Sequence, residues 1–148
     1  MYFSQKKLSP QFIEQLKKYV YDIVGHLIDV YKKLPCGLPE YIYQEALDIT
    51  LSENGVPHKK EYKHNPEFNG KRLESYLKMD FIVERECGNI IIECKAIDKL
   101  GDKERHQIFS YMIGSQFPIG ILVNFGTYPQ AQIEKYYFDR QDGSITPF

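Results

Sequence analysis

Leu77-Lys78-Met79-Asp80-Phe81-Ile82-Val83 and, after a short break, Ile90-Ile91-Ile92-Glu93-Cys94-Lys95 decide how this chain folds. Both runs read as strands, and both carry charges in apolar surroundings, where an ion is costly unless something pairs it. In the first run Leu77, Met79, Phe81 and Val83 alternate with Tyr76, Lys78, Asp80 and Ile82. The first set is predicted to face the core, leaving Asp80 on the opposite face with Lys78. The second run is nearly continuously apolar, as in the centre of a sheet. Glu93 and Lys95 are two apart and project from one face, with Cys94 on the other.

Outward from this pair, Cys87-Gly88-Asn89 predicts a turn that makes the two strands antiparallel and brings Asp80 beside Glu93. Upstream, Asn69-Gly70 predicts a hairpin turn between a polar strand from His58 to Phe68 and a returning strand from Leu73 to Glu86. Downstream, Asp102 is a candidate cap for a helix over Lys103 to Ser115, followed by a buried strand from Ile119 to Phe125. That strand–helix–strand order predicts a right-handed crossover and parallel strands. Ile133 to Asp139 reads as a last, edge strand.

Two helices precede the sheet. Ser9-Pro10 suits a helix start. The spacing of Phe12, Leu16, Tyr19, Ile23, Leu27 and Tyr31, widened by Val20, Val24 and Ile28, predicts a long amphipathic helix ending near Leu34. Cys36-Gly37-Leu38-Pro39 leads into a second helix from about Pro39 to Glu53. Its core face uses Tyr43, Ala46, Leu47 and Leu51, and Asn54-Gly55 stops it. The expected architecture is a single α/β domain over 1–148, a mixed central sheet with helices on both sides.

Bulk properties narrow the function. A net charge of -1 gives no overall attraction to nucleic acid or acidic membranes, so any such binding needs a local patch or a metal. Lys59, Lys60, Lys63, Lys71 and Arg72 form the one local basic concentration, either an edge guarded against aggregation or a phosphate-binding surface. Cys36, Cys87 and Cys94 are odd in number and have no C-x-x-C spacing, which argues against a disulfide framework or a zinc site and for reduced thiols in the cytoplasm. Met1 to Lys7 shows no apolar stretch behind its charges, and no run is long enough for a membrane span. His26, His58, His64 and His106 have no metal-ligand spacing.

Asp80 and Glu93 converging in one cleft are hard oxygen donors suited to Mg²⁺ or Mn²⁺. The backbone carbonyl of Cys94 is a further candidate ligand. Lys95 beside such an ion is suited to orienting a water or stabilising a crowded phosphate. Together these residue types point to metal-assisted hydrolysis of a phosphodiester.

Asp80 followed by Glu93-Cys94-Lys95 resembles the signature of the PD-(D/E)xK nucleases, the superfamily of restriction endonucleases and archaeal junction resolvases. Gly37-Leu38-Pro39-Glu40-Tyr41-Ile42-Tyr43 fits the G-x-x-E-x-x-Y motif of one family within it. Gln107-Ile108-Phe109-Ser110-Tyr111 fits the Q-x-x-x-Y element on the helix after the core strands, and Leu122-Val123-Asn124-Phe125-Gly126 fits the L-x-N-F-G strand end of the same family. Met79 stands where the superfamily name has Pro. The resemblance implies a restriction-endonuclease-like core with Asp80, Glu93 and Lys95 as the catalytic set and Glu40 supporting the metal or its waters. It implies that Gln107 and Tyr111 touch the carboxylates or the substrate. Tyr43 has two readings, a core aromatic or a substrate-positioning group. The implied partner is nucleic acid, DNA before RNA, and a homodimer is compatible with it. The rival reading is a nucleic-acid- or protein-binding module on a nuclease fold, with weak or no catalysis.

Overall fold

A computed structural model describes residues 10–148. The Met1 to Lys7 stretch and the Ser9 cap considered above lie outside the described residues. Helix α1 (Pro10–Lys33) buries Leu16, Val20, Ile23, Leu27, Val30 and Tyr31. Phe12 and Ile28 fall off the edge of this stripe and stay exposed. Lys32 and Lys33 sit in the last turn, where positive charge suits the helix dipole. Pro35 follows and cannot continue the helix. Helix α2 (Glu40–Glu53) buries Tyr43, Leu47 and Leu51 and ends at Asn54, with Gly55 at positive φ.

The strands are β1 (His58–His64), β2 (Glu67–Phe68), β3 (Lys71–Arg72), β4 (Leu77–Val83) and β5 (Ile90–Lys95). Then come helix α3 (Asp102–Ser115), β6 (Ile119–Asn124), β7 (Gln132–Phe138) and β8 (Ile145–Pro147). One six-stranded sheet runs in the order β1-β4-β5-β6-β7-β8, and β2 and β3 form a separate hairpin. The β5/β6 pair is parallel and the others are antiparallel. Asn69 and Gly70 both take positive φ, as the tight hairpin turn between β2 and β3 requires.

The sheet is covered on both faces. Phe81, Val83, Ile90, Ile92 and Cys94 pack with the buried residues of α1 and α2. Met79, Ile82, Ile91 and Leu122 pack with Ile108 and Met112 of α3. Gly120 allows this second layer its close approach, because a Cβ there would lie 2.6 Å from the Met112 sulfur.

Three expectations are corrected. Ile133 to Asp139 is not an edge: β7 is covered by β8, a short strand whose sequence Ile-Thr-Pro gives little periodic signal. The helix cap at α3 is Gly101, and Asp102 is already helical; the Glu104 carboxylate accepts the Gly101 N–H at 2.9 Å. Met79 does not share a face with Phe81 and Val83 but joins the α3 side. The reason is a break in the alternation at Asp80, where β4 stops pairing with β5.

Candidate active site

The β4/β5 ladder pairs Val83 with Ile90, Ile82 with Ile91 and Phe81 with Ile92, and then ends. The next two residues, Asp80 and Glu93, replace the missing ladder bonds with their own side chains. The Asp80 N–H donates to Glu93 Oε1 at 2.8 Å, and the Cys94 N–H donates to Asp80 Oδ2 at 2.9 Å. The strands fork, and each carboxylate stitches itself to the other strand's backbone. The outer neighbour opens at the same level. Glu61 of β1 has φ of 52° and, with Asp80, goes unpaired between Lys60↔Phe81 and Tyr62↔Met79.

Glu93 is 2 % exposed. Burial, with the Asp80 charge adding to it, pushes its carboxyl up to about 9, so at neutral pH Glu93 keeps its proton beside an Asp80 acceptor. Burial also raises Asp80, while the Cys94 N–H and the Lys95 ammonium hold it down. Two carboxyls that cannot both ionise are what a cation placed between them would relieve. Among the described residues, no three His, Cys, Asp or Glu side chains stand close enough to hold an ion by themselves. Two carboxylates with the remaining positions left to water, backbone carbonyl and phosphate oxygens suit Mg²⁺ or Mn²⁺. The donor set therefore fits a hard divalent ion.

Lys95 projects at the carboxyl end of β5, where Nζ donates to Gln107 Oε1 at 2.6 Å. Gln107 Nε2 in turn donates to the Tyr111 hydroxyl at 3.1 Å. The two α3 residues lie one turn apart and so form a relay along one helix face. The Tyr111 hydroxyl is raised by burial and then by the nearby Glu93. Glu40, the first residue of α2, approaches from the opposite layer; burial and Asp80 raise its carboxyl, and Lys95 lowers it. Glu40, Asp80, Glu93, Lys95, Gln107 and Tyr111 thus converge on the fork from both layers.

Tyr43 does not join them. It is fully buried, stacks on Phe125, donates to the Pro35 carbonyl at 2.7 Å and accepts the Leu38 N–H at 3.2 Å. Of its two readings the core aromatic is the one realised: it braces the loop that delivers Glu40. The Cys94 thiol is likewise buried, and burial pushes its pKa up.

Two residues escaped the sequence reading. Gln44 donates to Glu40 Oε2 at 3.2 Å, and its amide also helps hold the Asp80 carboxyl down. Its signal was available, because it lies one turn after Glu40 on the same helix. Asn124, read only as a strand end, is fully buried and clamps the chain beyond Lys95. Its Oδ1 accepts the Ile97 and Gly126 N–H groups, each at 3.0 Å, and its Nδ2 donates to the Ile97 carbonyl at 2.9 Å. Gly126 must be glycine there, since a Cβ would lie 2.3 Å from the Ile97 oxygen.

The chain belongs to the PD-(D/E)XK nuclease superfamily, whose family model matches residues 6–136. Its mixed sheet with helices on both faces is of the restriction-endonuclease-like class, and nucleases of this superfamily generally use divalent metals. Among solved structures, the crystal structure of SSO0001 is similar, with a TM-score of 0.49 and 20 % identity over 64 % of this chain. The chain spans about half of that one, 48 % of its length. Comparison with curated protein sequences returns no match. Among the described residues, no helix is long and apolar enough to cross a membrane.

Proposed function

We propose that this chain is a metal-dependent nuclease that hydrolyses phosphodiester bonds in nucleic acid, DNA in the first instance. Asp80 and Glu93 would hold Mg²⁺ or Mn²⁺, with the Cys94 carbonyl as a further oxygen ligand and Glu40 supporting the ion through its waters. The ion, when bound, supplies a Lewis acid for the phosphate and lowers the pKa of a bound water. Lys95, held by Gln107, orients the attacking water and offsets the negative charge that builds on phosphorus. Tyr111 keeps Gln107 turned toward Lys95, and Gln44 keeps Glu40 turned toward Asp80.

The observation that carries this reading is the fork itself. Two carboxylates, each bonded to the backbone of the opposite strand, with a lysine held by a neutral amide beside them, form a site that resists full ionisation without a cation. The match of residues 37–43 and 122–126 to the G-x-x-E-x-x-Y family adds to it, because Tyr43 of the first motif stacks on Phe125 of the second. We assign the chain to that family and read residues 1–148 as one nuclease domain.

The test is cleavage of labelled single-stranded, duplex and branched DNA and of RNA by the full chain in Mg²⁺ or Mn²⁺. Cleavage stopped by chelator and lost in both Asp80→Ala and Lys95→Ala is expected. Intact substrates throughout, or cleavage surviving in either variant, would contradict the proposal.

A further inference from the structure

The β4/β5 pair closes at Val83 and Ile90 and opens at Asp80 and Glu93. Since the strands are antiparallel, the first residue of β4, Leu77, lies at the open end, and Leu77 pairs with His64, the last residue of β1. The whole segment between them, residues 65–76 with the β2–β3 hairpin, therefore leaves the sheet at the end where the candidate active site opens.

This segment is built as a stiff arm. Asn65 Nδ2 donates to the carbonyls of Leu73, Glu74 and Ser75 at 3.1–3.2 Å, and Arg72 donates to Asn65 Oδ1, so the base of the hairpin is clamped. Beyond the clamp every residue from 67 to 76 is exposed. Residues 65–76 themselves carry Lys71 and Arg72 against Glu67 and Glu74; the surplus of positive charge lies at the arm's root, on Lys59, Lys60 and Lys63 of β1 and Lys78 of β4. The tip carries Phe68, 65 % exposed, next to the Asn69-Gly70 turn and Lys71. At the arm's root Lys63 lies over the Tyr76 ring, 4.8 Å from its centroid.

Edge protection accounts for the lysines of β1, which border the sheet, but not for this tip. A guarded edge carries charge and hides apolar surface, whereas the hairpin holds an aromatic ring out in water. Lysines at the root of the arm, Lys71 beside its turn and an aromatic at its tip match the chemistry of a single-stranded nucleic acid, phosphates for the cations and an unstacked base for the ring.

We propose that the β2–β3 hairpin is a single-strand-binding arm: Phe68 stacks on an unpaired base, and Lys71 contacts an adjoining phosphate. The strand is thereby fixed beside the fork. The inference rests on the nuclease reading only for its choice of ligand class.

The test is fluorescence anisotropy of the full chain in chelator, with a labelled 20-nucleotide single strand and the matching duplex, across a salt series. Wild type is expected to bind the single strand more tightly than the duplex. Phe68→Ala should weaken single-strand binding about tenfold and leave duplex binding within about twofold. Lys71→Ala should lower the slope of log affinity against log salt by about 0.7. Both residues are exposed, and unchanged melting temperatures exclude misfolding. Single-strand affinity within about twofold of wild type in Phe68→Ala would overturn the proposal, as would a wild type that binds neither polymer. Asp80→Ala separates the two readings. If it keeps cleaving but Phe68→Ala loses single-strand binding, the nuclease site is wrong and the arm stands. If it loses cleavage while Phe68→Ala binds normally, the arm is wrong and the site stands.

Discussion

The ring of Tyr43 lies flat on that of Phe125, with centroids 4.7 Å apart and planes 4° from parallel. This contact joins the helix that begins with Glu40 to the strand end that carries Asn124. It fixes one wall of the fork relative to the sheet without either ring entering the cleft. The pair also brings residues 37–43 and 122–126, far apart in the chain, together in space.

Tyr43→Phe keeps the stack but removes the hydroxyl that holds Pro35 and Leu38. A loss of about 1–2 kcal/mol is expected, seen as a fall of a few degrees in Tm. Because the loop delivers Glu40, kcat should fall between about tenfold and 100-fold with little change in KM. An unchanged melt would show that the hydroxyl bonds are replaced by water.

Asn124→Ala strands two N–H groups and a carbonyl in the clamp on Ile97 and Gly126. Each group left unpaired costs about 1–3 kcal/mol, so urea denaturation should show a loss of roughly 3–5 kcal/mol. Asn124→Asp keeps an acceptor for the two N–H groups but turns a charge against the Ile97 carbonyl, and should be no better than alanine.

Glu93→Gln should make the metal-free protein more stable while ending its function. The folded-state value of about 9 lies above the ordinary value of 4.5. Stability from this group is therefore complete below pH 4.5 and is lost as pH rises toward 9. The amide escapes that loss and still accepts the Asp80 N–H. At pH 8 without metal, Glu93→Gln is expected to melt above wild type, by about 5 °C or more. The gap should narrow as pH approaches 4.5, and a gap that does not depend on pH would refute the buried, proton-holding Glu93.

Lys95 and Gln107 should separate by role. Lys95→Ala is expected to lower kcat by about 10²–10³ or more and to leave Mn²⁺ binding intact. Gln107→Ala leaves the ammonium in place but unheld, so a smaller fall in kcat is expected at constant KM. Equal losses in the two variants would mean that Gln107 touches the substrate itself.

The elements that the sequence disclosed are those with strong local signals. The stripe of α1, the Asn69-Gly70 turn and the isoleucine run of β5 each follow from periodicity or backbone preference. Asp80, Glu93 and Lys95 were legible as charges out of place in apolar strands. The face on which Met79 lies was not, because alternation assumes continuous pairing and the fork at Asp80 ends it. The partners of Tyr43 and the clamp made by Asn124 were hidden for another reason: they are contacts with distant parts of the chain, Phe125 and Ile97, which no local pattern records. The strand β8 was missed because three residues carry no period.

The central claim is that the Asp80–Glu93 fork binds a divalent cation. Calorimetric titration of the full chain with Mn²⁺ at neutral pH tests it most directly. Wild type should bind at one site, with an enthalpy that changes with the buffer's own heat of protonation because Glu93 gives up its proton. Asp80→Asn, which can still accept the Cys94 N–H, should remain folded and lose that site. A wild type that takes up no Mn²⁺, or an Asp80→Asn protein that binds it equally well, would contradict the account.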